Sequence, residues 1–339
     1  MSELGINYNV AQAGLFDKSY RDLRSTLKRP ELASVAWAFI SNCDRAFELM
    51  ATHVNLVVYS IWFTRADREI RFAHGIGLDA DIGSHPEYAS ALDARLQGLM
   101  DDRANNPHHW DDHWAAGAGV IEQYLQTNIF GPEGSIALLA LMCIQGWMCF
   151  ESLAVDLWKT LVNIHPSPLA RNVLSGQPPL GQDIPRQDQK TIPLSVLDQY
   201  HFDLSHSMGD VLSRARRVNL DSLRGITDAY KVAFKSDFDP TIIDTTHLNR
   251  LEAIRNLHAH RGGRVDETFI RRMQGVDFIH PLEVGQDYVI AGDNVRDYMD
   301  IVIRSAMNLI HFADDWLDGK AGGSGSQADL GLDGSGAAM

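Results

Sequence analysis

Hydrophobic positions along this chain recur at spacings of three, four and seven over long stretches, the period of an α-helix with one buried stripe. Between Ser34 and Phe63 the stripe is Trp37, Ile40, Phe47, Val54, Val58 and Trp62, and Arg65 to Arg71 then turns polar. Pro86 to Met100 repeats Tyr88, Leu92, Leu96 and Met100 every fourth residue. That helix starts just after Ser84, a residue type whose side chain accepts a bond from a first-turn N–H. Ile136 to Ile164 predicts a third long helix, with Phe150, Leu153, Leu157 and Leu161 facing in, ended by His165-Pro-Ser-Pro168. Further helices are expected over Asp210 to Val218, Leu220 to Phe234 and Asp244 to His260. The most sustained period runs from Asn294 to Leu317 through Val295, Met299, Val302, Ala306, Leu309, Ala313 and Trp316, with Asp293 before it as cap. Strand signals are few. Phe278 to Val289 alternates weakly around Pro281 and Gly285, so the pattern reads as all-α with at most a short β-hairpin.

Breakers divide the chain. Gly131-Pro-Glu-Gly134 places a boundary between an N-terminal helical region, residues 1–130, and a helical domain, residues 131–319. Gly176 to Pro193, crowded with prolines and glycines, reads as a surface loop. Residues 320–339 are rich in Gly, Ser and Ala and read as a disordered tail. The most apolar stretch, Ile136 to Phe150, is broken by Gln145 and Gly146 and followed by Glu151, whereas a membrane span needs about 20 apolar residues. A buried core helix is therefore expected, with no membrane partner. The first residues lack the basic and apolar regions of a signal peptide, which points to the cytoplasm.

Composition narrows the chemistry. The chain has 339 residues with 44 acids against 30 bases, a formal charge of -14, and 45% hydrophobic residues. This balance excludes whole-chain disorder and wholesale phosphate neutralisation, while leaving room for a local basic site. Three cysteines, Cys43, Cys143 and Cys149, match neither a disulfide framework nor a paired zinc motif.

The densest polar cluster in the first half is Asn105 to Trp114. His109 and His113 lie four apart beside Asp112, so a helix would bring two imidazoles onto one face, as a metal site requires. The favoured reading is no metal but an ordinary helix start, with Pro107 in a first turn, Asp111 and Asp112 at the positive end of the helix dipole, and Trp110 and Trp114 packed.

The segment Thr245 to Met273 carries the most specific pattern. Leu248, Leu251 and Ile254 make a buried edge, Gly262-Gly263 stop the helix, and polar residues crowd its last turn. Asn256 and His260 share one face. Arg255 is about 140° around from His260 at 100° per residue and must reach round with its long side chain. The run Ile-Arg-Asn-Leu-His-Ala-His-Arg-Gly-Gly-Arg-Val-Asp, with Arg255, Asn256 and His260 as Arg-Asn-x-x-x-His, resembles the signature of the HEPN superfamily (higher eukaryotes and prokaryotes nucleotide-binding domains). Trp147 to Trp158 looks like that family's first long helix. The resemblance covers roughly Ser135 to Leu317 and implies a HEPN-like helical bundle.

It also implies metal-independent RNA cleavage without a cofactor, in a toxin or anti-phage setting. His260 would move protons, Arg255 would stabilise the anionic phosphorane, and Asn256 would orient the imidazole or hold phosphate. His258 and Glu151 are supporting candidates. The products would be a 2',3'-cyclic phosphate and a 5'-hydroxyl. A homodimer with facing motif helices and a composite site is implied as well, with a regulatory partner a further expectation. The alternative is a non-catalytic HEPN-like module that binds nucleotides or protein partners. Arg250, Arg261 and Arg264 are candidate phosphate contacts. From Arg250 to Arg272 six arginines face three acids, whereas residues 1–130 hold 17 acids and 11 bases. Basic charge thus gathers around the motif.

Overall fold

A computed structural model describes residues 8–127, 131–175, 192–276 and 281–324, with the backbone alone at 107–110, 131, 132 and 321–324. The fold is all-α. Among the described residues there are twelve α-helices and no strand beyond one isolated bridge, Arg264 with Asp287. In chain order they are α1 (Leu23–Thr26), α2 (Ala33–Ala73), α3 (Pro86–Asn105), α4 (Pro107–Thr127), α5 (Gly131–Ile164), α6 (Pro166–Ser175), α7 (Leu194–Asp198), α8 (Met208–Arg214), α9 (Leu223–Phe234), α10 (Thr245–Arg261), α11 (Glu267–Arg272) and α12 (Gly292–Ser324). Two of the helical stretches, Pro30–Ala73 and Glu133–Ile164, are long and apolar enough to cross a membrane by length and composition, with mean hydropathy 1.2 and 1.7 in their most apolar windows. Half of the second window is buried inside the protein.

The chain forms two compact units. One comprises Met1–Phe16, Asp44–Met142 and Tyr288–Asp297; the other comprises Asp17–Cys43, Cys143–Asp287 and Tyr298–Met339. In the first, Phe47 stacks on Trp114 with ring centroids 6.3 Å apart, and Val54, Val58 and Trp62 are buried behind them. Tyr88 of α3 donates its hydroxyl to Asp67 of α2, which also pairs with Arg71 at 2.8 Å. The backbone of Tyr8 ties in at both ends, donating to Glu122 and accepting from Gly292.

The second unit holds the candidate chemistry. Trp147, Phe150, Leu157, Trp158 and Leu161 of α5 are fully buried, as are Ile226 and Tyr230 of α9 and Leu248 and Ile254 of α10. Two of the large aromatics use their polar atoms: Trp158 Nε1 donates to the Ala229 carbonyl and the Tyr230 hydroxyl donates to that of Ala154. Close helix approach needs Gly209, where a Cβ would stand 2.5 Å from the Lys159 carbonyl oxygen. Asp314 of α12 is 3% exposed and accepts from the backbone N–H groups of Lys28 and Arg29, which satisfies the turn before Pro30.

Several expectations change. Helix α2 continues ten residues beyond Phe63, because the polar stretch forms i,i+4 pairs, Arg65 with Glu69 and Arg71 with Asp67. Trp37 is 58% exposed rather than part of the stripe, with the Arg24 guanidinium 5.9 Å over its ring. Met100 is exposed at the end of its series. Ser84 does not cap α3: its hydroxyl donates to the Asp81 carbonyl, and His85 takes the cap position without a side-chain bond. Asp293 lies inside the first turn of α12 and accepts from Asn9. No hairpin forms in the described part of Phe278 to Val289; its backbone bonds Val265 instead, Val265 N–H to Gln286 and Gly285 N–H to Val265. Helix α12 passes Gly319 and ends at Ser324, so residues 320–324 of the expected tail are helical. Residues 176–191 of the expected loop, 277–280 and 325–339 lie outside the described residues.

Candidate functional site

Helix α10 is fixed at both ends by its own sequence. Asp244 accepts from the His247 N–H at 3.2 Å at the start. At the end Gly262 adopts φ 60, a left-handed conformation that glycine takes without strain, and the Gly263 N–H closes on the Leu257 carbonyl at 3.3 Å. The chain then turns through Arg264 and Val265, pinned by the bonds to Gly285 and Gln286, and enters α11. Asp266 caps that helix by accepting from the Phe269 N–H at 2.8 Å. Between α10 and α11 this turn leaves a cleft of about 300 Å³.

Ala253, Leu257 and Phe269, all buried, line its apolar wall. Its polar lining comes from Asn256, His260 and Arg261 on or near one face of α10, and from Asp266, Thr268 and Arg272 of the following turn and helix. His260 is exposed to solvent there. Arg261 stands 3.8 Å from Asp266.

Arg255 is not part of this lining. Its Nη1 donates to Asn256 Oδ1 at 2.7 Å, and its Nη2 lies 3.6 Å from Glu151 Oε2 on α5. The bond to Arg255 occupies the amide oxygen of Asn256 and fixes the orientation of that side chain. Burial pushes the Glu151 carboxyl above its usual range, opposed chiefly by the Arg255 charge. His258 faces away from the cleft. Its ring packs over Gly263, where a Cβ would stand 3.1 Å from His258 Cε1, and burial lowers its pKa.

Of the outer arginines, Arg250 donates to the Gly275 carbonyl at 3.3 Å and Arg264 stands 3.8 Å from Asp287; neither lines the cleft. The residues that the motif did not announce are Arg272, Thr268 and Glu252. Glu252 is 6% exposed and accepts from Arg272 of α11 and from the Leu223 N–H at 3.2 Å, so one carboxylate joins α9, α10 and α11. The spacing 252, 256, 260 places it on the Asn256 and His260 face, a signal available in the sequence. Nothing local brings in Arg272.

At the other candidate cluster, His113 meets the Trp62 ring edge to face at 4.8 Å and Asp112 is exposed. The side chain of His109 lies outside the described residues. Among the described residues no group of three or more His, Cys, Asp or Glu is placed to hold a metal ion. The three cysteines are buried and unbridged, and burial pushes the Cys143 thiol up to about 12. Comparison with known protein families, with curated proteins and with solved structures finds no match for this chain.

Proposed function

We propose that this chain is a metal-independent endoribonuclease of HEPN type, acting on RNA in a toxin or anti-phage setting. One observation carries the reading: His260 and Asn256, one helical turn apart, open into the same solvent-accessible cleft, with Asn256 oriented by Arg255. In this reading His260 takes the proton from a ribose 2'-hydroxyl while that oxygen attacks phosphorus. The O2'–P bond forms, the P–O5' bond breaks, and the departing 5'-oxygen receives a proton. This leaves a 2',3'-cyclic phosphate and a 5'-hydroxyl. Arg255 stabilises the charge that builds on the phosphorane, and it reaches the reacting phosphate from a second copy of the chain in a composite homodimer site.

Transfer RNA incubated with the protein in chelator tests this. Cleavage should persist without divalent metal and fall by about 10²–10⁴-fold in His260→Ala, the range for loss of a general acid or base. Arg255→Ala should also be strongly impaired, and mixing the two variants should restore part of the activity through mixed dimers. Equal nicking by wild type and His260→Ala would overturn the reading.

A second reading is favoured by the pairing of Arg255 with Glu151 and Asn256, which satisfies the motif arginine inside one chain. In it the chain is a non-catalytic HEPN-like module that binds nucleotides or a protein partner. It expects binding unaltered by His260→Ala and no cleavage product with a cyclic phosphate end.

A further inference from the structure

The cleft contains a guanidinium that the motif does not supply. Arg255 leaves the cleft toward Glu151, whereas Arg272 of α11 lines it together with Asn256, His260 and Thr268. Arg272 is held from beneath. Its Nη2 donates to Glu252, a buried carboxylate whose other oxygen accepts the first N–H of α9. A buried acid bonded in this way cannot move with solvent, so the arginine fork is set in place before any ligand arrives. An arginine offers five N–H donors in a rigid plane, and the bond to Glu252 engages its Nη2 end. Such a fork, pre-ordered beside an exposed imidazole, an amide and a threonine hydroxyl, suits the oxygens of a phosphate group. A volume of about 300 Å³ is at the small end for ligand pockets and fits a phosphate with its ribose rather than several nucleotides.

We propose that Arg272, positioned by Glu252, is the residue that grips the phosphate of a nucleotide unit in this cleft, and that Arg255 adds nothing to that ground-state grip. The assignment rests on the ribonuclease reading only for what happens after binding. Arg255 then acts through Asn256 or at the charged intermediate, so its loss falls on turnover and not on affinity.

Uridine 3'-monophosphate binding to the full chain, measured by titration calorimetry and by the proton resonances of His260, tests the assignment. Wild type should bind, and Arg272→Ala should weaken binding at least tenfold, as expected for a lost bond to a charged group. Arg272→Lys keeps the charge and the link to Glu252 but not the fork, and should weaken binding severalfold. It decides the matter if Arg272→Ala does not fold. Arg255→Ala should keep affinity within about twofold while losing RNA cleavage, a split between KM and kcat that general damage to α10 would not produce. Undiminished binding in Arg272→Lys together with Arg272→Ala, absence of binding in wild type, or equal losses in the Arg255 and Arg272 variants would overturn the proposal. Binding that depends on Arg272 without any cleavage of RNA would remove the ribonuclease reading and leave this assignment standing. Cleavage with binding indifferent to Arg272 would do the reverse.

Discussion

His258 and His260 stand two residues apart on one helix in opposite surroundings. His260 opens into the cleft, while His258 is half-buried over Gly263 and its pKa is lowered by burial. A lowered folded-state value means that folding disfavours the charged ring. The neutral ring's contribution to stability is complete above the unfolded value of about 6.5 and is lost as pH falls through it toward the folded value. We expect the fall in Tm between pH 7.5 and pH 5.5 to be smaller in His258→Gln than in wild type, by roughly 1–3 °C for a partly buried group. Identical falls in the two proteins would show that another group carries the acid sensitivity. Spacing alone could not tell the two histidines apart. Their difference arises from Gly263, which turns the chain back under one ring and leaves the other free of it.

The elements divide by how local their causes are. The long helices α2, α5 and α12 follow from apolar periods that need no knowledge of the fold, and their cores lie where those periods place them except at Trp37, which is exposed, and Trp316, which is half-buried. Their ends do not follow so simply. A polar run reads as a stop in α2, yet Arg65 with Glu69 and Arg71 with Asp67 satisfy each other along the helix and carry it on. Helix α6 begins at Pro166, because a proline that ends one helix is well suited to the first turn of the next. The expected hairpin fails for a non-local reason: Gly285 and Gln286 pair with Val265, twenty residues away. The same logic governs the site. Asn256 and His260 are legible from a four-residue spacing and the stop at Gly262-Gly263, and Glu252 one turn earlier could have been added. Arg272 and Thr268 arrive only because the turn after Gly263 folds α11 back along α10. The turn itself can be tested. A Cβ on Gly262 meets nothing within 4 Å, so a substitution there is opposed by its φ of 60 and not by crowding. We expect Gly262→Val to destabilise the end of α10 by about 1–2 kcal/mol and Gly262→Asn by less, since asparagine tolerates the left-handed region. Hydrogen exchange of the last-turn amides would read both. Equal acceleration in the two variants would mean that the backbone conformation is not what the glycine supplies.

At the scale of the whole molecule, charge sets what kind of RNA binding is available. A formal charge of -14 gives a surface that repels polyanions, while six arginines against three acids gather between Arg250 and Arg272. Within that cluster every arginine already has a partner: Arg250 a carbonyl, Arg255 a carboxylate and an amide, Arg264 an aspartate outside the cleft, Arg271 a hydroxyl, and Arg261 and Arg272 the carboxylates of Asp266 and Glu252. Those that line the cleft are Arg261 and Arg272. Few phosphates can therefore be neutralised at once, and binding must come from a short contact and not from a broad basic face. Each neutralised phosphate of a single strand contributes a slope of about -0.7 in log K against log salt, so two or three contacts give roughly -1.5 to -2. Anisotropy of a labelled, uncleavable 2'-O-methyl RNA on the His260→Ala variant, followed from 50 to 300 mM potassium chloride, measures that slope. Arg272→Ala in the same background should make it shallower by about one contact. A slope steeper than about -4 would require more phosphate contacts than the cleft's arginines can supply. The RNA would then lie along a surface other than this cleft, and both the site and its charge logic would have to be reassigned.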